Sequence, residues 1–226
     1  MKGAPTAATQ HRVDADYDQA AAGYEAQPGH DIAADESAAW QADLSRAGVN
    51  LSPHSVLDVG TGTGVFARWW AARGALVTGL DPSEGMLQVA RWHPHPAGAT
   101  APRYLFGHAE HTGSYPDGRF DLICSRQAAC YFADPIAVFA LWRDRLASGG
   151  QVLVVDGLWP RSGFGDAELV DALPLSCVHT LGTWAYLLRC AGFRRVHTHW
   201  LQEVNARHRV ADGTPGARFF AVADAV

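Results

Sequence analysis

A carboxylate, a glycine-rich turn and a second carboxylate form the most chemically specific pattern in this sequence. Asp58 lies within Val56-Leu57-Asp58-Val59, immediately ahead of Gly60-Thr61-Gly62-Thr63-Gly64. Glycines placed where a strand turns sharply into a helix let the backbone approach a ligand more closely than a side chain would permit. Asp81 follows about 20 residues on, the spacing at which a carboxylate in a βαβ unit reaches both hydroxyls of a ribose. Together these features predict an adenosyl ligand. Gly62-x-Gly64-x-x-Ala67 also fits the dinucleotide fingerprint, so a nicotinamide dinucleotide is the competing reading. Asp58 weighs against it, because a carboxylate just before the loop repels a pyrophosphate but can pair with the ammonium of a methionine moiety.

Such residues need a frame, and the apolar patterning supplies one. Residues 14–47 carry Tyr17, Tyr24, Trp40 and Leu44 at helical spacings and read as a lid of two helices broken near Pro28-Gly29. A strand at 55–59 runs through the glycine loop into a helix at 65–73 that stops at Gly74. The alternation repeats with a strand at 75–80, a helix capped by Ser83 and reaching Trp92, and strands at 103–106 and 120–124. A helix at 135–146 and a strand at 151–155 follow. Alternating strands and helices imply a parallel sheet covered on both faces. After an irregular stretch at 156–181 come a helix at 184–190, a strand at 193–200 and a last strand at 218–223. The expected organisation is a flexible tail over 1–13 and one domain over 14–226.

Bulk properties narrow the function. The 226 residues carry a net charge of -5, which gives no overall attraction to nucleic acid, although a local basic patch such as Arg207 to Arg209 is left open. No apolar run approaches the roughly 18 residues of a membrane span. Cys124, Cys130, Cys177 and Cys190 form no CxxC pair and follow no secretory leader, which suits reduced thiols in the cytoplasm.

The order of motifs resembles the class I S-adenosylmethionine-dependent methyltransferases, in particular their small-molecule group, over about residues 14–155. The resemblance rests on Tyr17-Asp18-Gln19-Ala20 to Tyr24, on the run from Val56 to Gly64, and on Gly79-Leu80-Asp81-Pro82-Ser83 with Met86-Leu87. It continues through Gly107-His108-Ala109-Glu110, Phe120-Asp121-Leu122-Ile123, Leu146-Ala147-Ser148-Gly149-Gly150 and Ala191-Gly192-Phe193. It implies a doubly wound, Rossmann-like α/β fold, with a seven-stranded, mostly parallel sheet, helices on both faces and an N-terminal helical lid. The strand at 218–223 would be the antiparallel seventh. By similarity, Asp58, Gly60, Thr61 and Gly62 would hold the methionine end of S-adenosylmethionine, Asp81 the ribose, and Pro82 and Met86 the adenine faces. Ala109 and Glu110 would sit at the adenine edge, Arg126 just beyond the fourth strand, and Tyr17 and Tyr24 in the lid. His108 departs from the pattern, since the family commonly has there an aspartate that accepts from the adenine amino group. That contact would pass to the Ala109 backbone or the Glu110 carboxylate.

The implied reaction transfers a methyl group to oxygen, nitrogen or carbon of a small-molecule acceptor and leaves S-adenosylhomocysteine. A sulfonium methyl is already activated, so positioning carries most of the work, roughly 7–11 kcal/mol of the barrier. A general base is needed only when the acceptor arrives protonated. Tyr24, His111 and His179 are the catalytic candidates, the histidines because they titrate near working pH. The pairs His93 with His95 and His197 with His199 lack a third ligand, so no metal is expected. Residues 156–181 follow a strand's C-terminal end and are the candidate for acceptor selection. Their Trp159 and Phe164 suit a flat aromatic, their Asp166, Glu168 and Asp171 a cationic amine, and Arg161 lies between. A homodimer is compatible with this reading. A non-catalytic S-adenosylmethionine-binding scaffold is the alternative function.

Overall fold

The apolar run Ser55–Val59 becomes β1, paired in parallel with β2 (Leu76–Asp81) on one side and β4 (Phe120–Arg126) on the other. Outside them lie β3 (Arg103–Phe106) against β2 and β5 (Leu146–Gly157) against β4, again parallel. β7 (Arg218–Asp224) inserts antiparallel between β5 and β6 (Arg194–Trp200). The strand order is β3-β2-β1-β4-β5-β7-β6, the expected seven-stranded, mostly parallel sheet with an antiparallel last strand. The computed structural model describes residues 7–27, 29–95, 98–158, 167–176, 180–208 and 218–225. Among them no helix is long and apolar enough to cross a membrane.

Alternation along the central strands sends side chains to two separate cores. Leu57, Val59, Ile123, Val152 and Val154 face Phe139 and Trp142 of α5 (Pro135–Arg145) and Trp184 of α7 (Leu181–Cys190). Val56, Leu122, Leu153 and Val155 face Trp40 of α2 (Ser37–Arg46), Phe66 and Trp70 of α3 (Val65–Ala71), and Leu87 of α4 (Glu84–Trp92). Each large side chain buried in this way contributes about 1.5–3 kcal/mol relative to exposure. Helix starts follow side-chain caps: Ser83 Oγ accepts from Met86 N at α4, and Asp134 accepts from Ala137 N at α5, where Pro135 takes the first turn.

Three features depart from the sequence reading. Residues 7–13, expected in a tail, belong to α1 (Ala7–Ala20), where Val13 is buried against Leu173. The segment at 156–181 contains a short helix, α6 (Ala167–Ala172), and α8 (Gln202–Arg207) follows β6. α8 escaped notice because a buried carboxylate from a distant helix caps it: Asp43 of α2 accepts from the N–H groups of Gln202, Glu203 and Val204.

Candidate active site

The strand order reverses at β1 and β4, so the chain leaves their C-terminal ends in opposite directions and opens a crevice there. Asp58 sits at this point between Gly79 of β2 and Cys124 of β4, its register partners. Its carboxylate is 1% exposed and accepts from Thr61 Oγ1 at 2.6 Å and from Cys124 Sγ at 3.5 Å. Burial pushes Asp58 up to about 6 even against those two hydrogen bonds. Burial and the Asp58 charge push the Cys124 thiol well up, so Cys124 serves as a donor to Asp58 and not as a nucleophile.

The glycine loop is fastened from beneath and left open above. Gly60 N and Thr61 N donate to Leu80 O at 2.8 and 3.1 Å, and Gly62 N donates to Asp81 Oδ2 at 2.7 Å. Gly62 has φ 54°, and a Cβ there would meet no atom within 4 Å, so the space above it is a cradle. Asp81 Oδ1 accepts from Ser83 N at 2.9 Å. Each oxygen of Asp81 keeps a second lone pair for a ligand hydroxyl. Burial raises Asp81 to about 7, opposed by the Ser83 and Gly62 N–H groups and helped by the charges of Asp58 and Asp14.

The far wall comes from the N-terminal segment. Asp18 of α1 accepts from Ser83 Oγ at 2.5 Å and from Gly85 N at 2.9 Å, which seats α1 on the first turn of α4. Tyr17 then meets Tyr24 and Tyr131 edge-on, with ring centroids 6.0 and 5.5 Å away. Arg126, at the end of β4, donates to the carbonyls of Gly29 and His30, and Arg218 Nη2 donates to Gly29 O at 3.3 Å. The His30 ring packs on Tyr24, centroids 4.2 Å apart. Burial raises Tyr24, opposed by the Arg126 charge, and raises Tyr17 well above the ordinary phenol range.

A cavity results at the C-terminal ends of β1, β2 and β4. Around it stand the expected Tyr17, Tyr24, Asp58, Gly60, Thr61, Gly62, Asp81, Pro82, Met86, Ala109, Glu110 and Arg126. Glu110 is tied down, Oε1 accepting from Ala133 N at 2.9 Å. His111 is exposed and absent from the lining, so the structure does not bring it together with the other expected site residues. Tyr24 lines the cavity, and burial raises its phenol. His179, with Trp159, Arg161, Phe164 and Asp166, lies outside the described residues. Sequence reasoning missed Asp14, Gln127 and Tyr131, which also line the cavity. Asp14 belonged to a polar stretch with one buried apolar residue, and Tyr131 follows a loop without periodicity. Gln127 adopts φ 58°, a conformation that sequence signals only through glycine or asparagine. Such a backbone costs on the order of 1–3 kcal/mol.

The residues fit an adenosyl ligand on their own geometry: an open glycine cradle between two buried carboxylates at the ends of adjacent strands. Comparison with known proteins agrees with that class. The family profile described as methyltransferase domain matches residues 57–154. The malonyl-[acyl-carrier protein] O-methyltransferase of Serratia marcescens is 32% identical over 185 residues, covering 76% of this chain and 67% of that protein. The ubiquinone biosynthesis O-methyltransferase of Thiobacillus denitrificans is 34% identical over 102 residues, 45% of this chain. That match spans 44% of the Thiobacillus protein, less than half its length. Among solved structures, an S-adenosylmethionine dependent methyltransferase from Mesorhizobium loti superposes with a TM-score of 0.59 at 27% identity, over 84% of this chain and 99% of that one. The chain belongs to the class I S-adenosylmethionine-dependent methyltransferases.

Proposed function

We propose that the protein transfers the methyl group of S-adenosylmethionine to a small-molecule acceptor, at oxygen, nitrogen or carbon. One observation carries this reading: Asp58 and Asp81 end neighbouring parallel strands and flank the Gly62 cradle within one cavity. Asp58 would face the ammonium of the methionine moiety and Asp81 the ribose hydroxyls, with Pro82 and Met86 against the adenine. S-adenosylmethionine would supply a methyl group already activated on a positively charged sulfur. The chain's own contribution is then positioning and exclusion of water. Tyr17, Tyr24 and Tyr131 close the acceptor end, and as protonated phenols they orient and donate without abstracting a proton. The Serratia and Thiobacillus relatives, both named as O-methyltransferases, support an oxygen acceptor.

The test is calorimetric titration with S-adenosylmethionine and S-adenosylhomocysteine, followed by mass spectrometry of a metabolite extract incubated with protein and labelled methyl donor. Binding together with a labelled product is the expected result. Binding without a product would favour the non-catalytic scaffold, and absence of binding would overturn the reading.

A further inference from the structure

Gln127 occupies the C-terminal end of β4, one residue past the strand, with a left-handed backbone at φ 58°. Its N–H donates to Val155 O at 2.8 Å, which carries the β4–β5 ladder one step further and holds the side chain against the cavity. The residue is nine-tenths buried. Its Oε1 accepts from Arg126 Nη1 at 3.4 Å, and this fixes the amide orientation, because the flipped amide would set its NH2 against the guanidinium donors. Nε2 is buried with no hydrogen-bond partner among the described residues. A buried donor left unpaired is costly, and a ligand acceptor atom would satisfy it.

The position of this donor says which ligand. Asp81 lies on β2, on one side of β1, and Gln127 lies past β4 on the other, so the amide faces the end of the cavity away from the ribose carboxylate. Tyr131 and Phe132, shortly after Gln127 in the chain, line the same cavity, and Tyr17 meets Tyr131 and Tyr24 edge-on, which favours a flat aromatic ring. The nearest cation is Arg126, which donates to the carbonyls of Gly29 and His30 and to the Gln127 amide oxygen. Asp156, the carboxylate behind this end, already accepts from Cys130 N and Gly157 N. A site with a free N–H donor beside a guanidinium suits an oxygen with partial negative charge and repels an ammonium.

We infer that Gln127 Nε2 holds the oxygen of the acceptor, and that the acceptor is a flat aromatic compound bearing a hydroxyl group. The inference rests on the methyltransferase reading, so the experiment begins with the dissociation constant of S-adenosylhomocysteine for the unmodified protein. Absence of that binding would remove both. With the protein saturated in S-adenosylhomocysteine, 4-nitrophenol, nitrobenzene and benzylamine are titrated by calorimetry into the native chain and into Gln127→Glu and Gln127→Gly. The glycine variant relieves the left-handed backbone and removes the amide, so it also controls for folding. Nitrophenol should bind the native protein about tenfold more tightly than nitrobenzene, and both variants should bring that ratio to about threefold or less. Their affinity for S-adenosylhomocysteine should stay within about threefold of native. The inference is overturned if the ratio survives in the variants, if nitrophenol fails to bind or binds no better than nitrobenzene, or if benzylamine binds best. It is equally overturned if the variants lose S-adenosylhomocysteine, which would assign the amide to the cofactor.

Discussion

Asp14 Oδ2 lies 3.9 Å from His108 Nε2, so the first helix brings a carboxylate to the loop that follows β3. The other oxygen of Asp14 accepts from Gln10 Nε2 at 3.2 Å, and burial raises the carboxyl above its ordinary value. The resemblance to the family leads one to expect an acidic side chain at position 108. Here the acid reaches the same end of the cavity from a different element.

If that carboxylate serves the adenine, Asp14→Ala should weaken binding of S-adenosylhomocysteine by about 5- to 30-fold, the value of one or two hydrogen bonds of roughly 1 kcal/mol each. Calorimetry reads this directly. An unchanged constant would show that α1 contributes no contact to the ligand.

Asp58→Asn keeps the shape of the side chain while removing a charge that burial disfavours. The hydroxyl of Thr61 and the thiol of Cys124 can still bond to an amide. Ionised Asp58 costs the ligand-free fold on the order of 1–3 kcal/mol near neutral pH, given a carboxyl raised from 3.8 to about 6. Asp58→Asn should therefore raise the ligand-free melting temperature, by roughly 2–4 °C per kcal/mol for a chain of this size. The same variant should bind S-adenosylhomocysteine at least about tenfold more weakly, because it no longer pairs with the ammonium. A lower melting temperature would contradict the account of Asp58 as a strained, ligand-seeking charge.

The pH dependence has a definite sign. Asp58 and Asp81 bind protons more tightly in the folded chain, at about 6 and about 7, than the unfolded value of 3.8. Between those values the folded state holds more protons, so this part of the stability is greatest at low pH and is lost as pH rises through about 7. The melting-temperature advantage of Asp58→Asn over the native chain should consequently grow from about pH 4 to about pH 7 and then level off. A constant difference across that window would refute the assignment.

The two glycines of the loop should separate fold from ligand. A Cβ on Gly60, with φ 71°, would lie 2.3 Å from Ala128 Cβ, so Gly60→Ala should destabilise the protein by roughly 2–4 kcal/mol. At Gly62 the added methyl meets no protein atom within 4 Å, and the cost is the backbone alone, roughly 1–2 kcal/mol. Gly62→Ala should stay folded and lose S-adenosylhomocysteine by calorimetry. Retained affinity would place the ligand elsewhere in the cavity.

Asp18→Ala removes the acceptor shared by Ser83 Oγ and Gly85 N, the contacts that hold α1 to α4. The cost should be about 1–2 kcal/mol. Limited proteolysis should then cut within α1 sooner than in the native chain, while cleavage elsewhere keeps its rate. Equal protection of α1 would mean that its apolar contacts suffice.

The parts of this molecule that were legible in the sequence are those where the chemistry demands a particular residue type. Gly60, Gly62 and Gly64 all take positive φ, and a turn of that kind announces itself by composition. Val56, Leu57 and Val59 are buried on both faces of a central strand and form a short apolar run that needs no partner to be noticed. The start of α1, residues 7–13, reads as a tail for the opposite reason. This helix docks through Asp14 and Asp18, polar side chains indistinguishable in sequence from solvated ones, with apolar contact from Val13 and Tyr17. Gln127 was hidden as well, since its backbone breaks the rule that reserves left-handed positions for glycine.

The carbonyl of Gly29 receives hydrogen bonds from Arg126 and from Arg218, the latter 189 positions further along the chain. This has a bearing on the order in which the molecule is finished during synthesis. The segment at Gly29 is fastened by a residue translated long after it, at the start of β7. While the nascent chain lacks that strand, the parallel core from β1 to β5 can form, as domains generally begin to do before release from the ribosome. The segment at Gly29 then has the Arg126 anchor without the Arg218 anchor. Both arginine anchors of this segment are therefore in place only once β7 has been made.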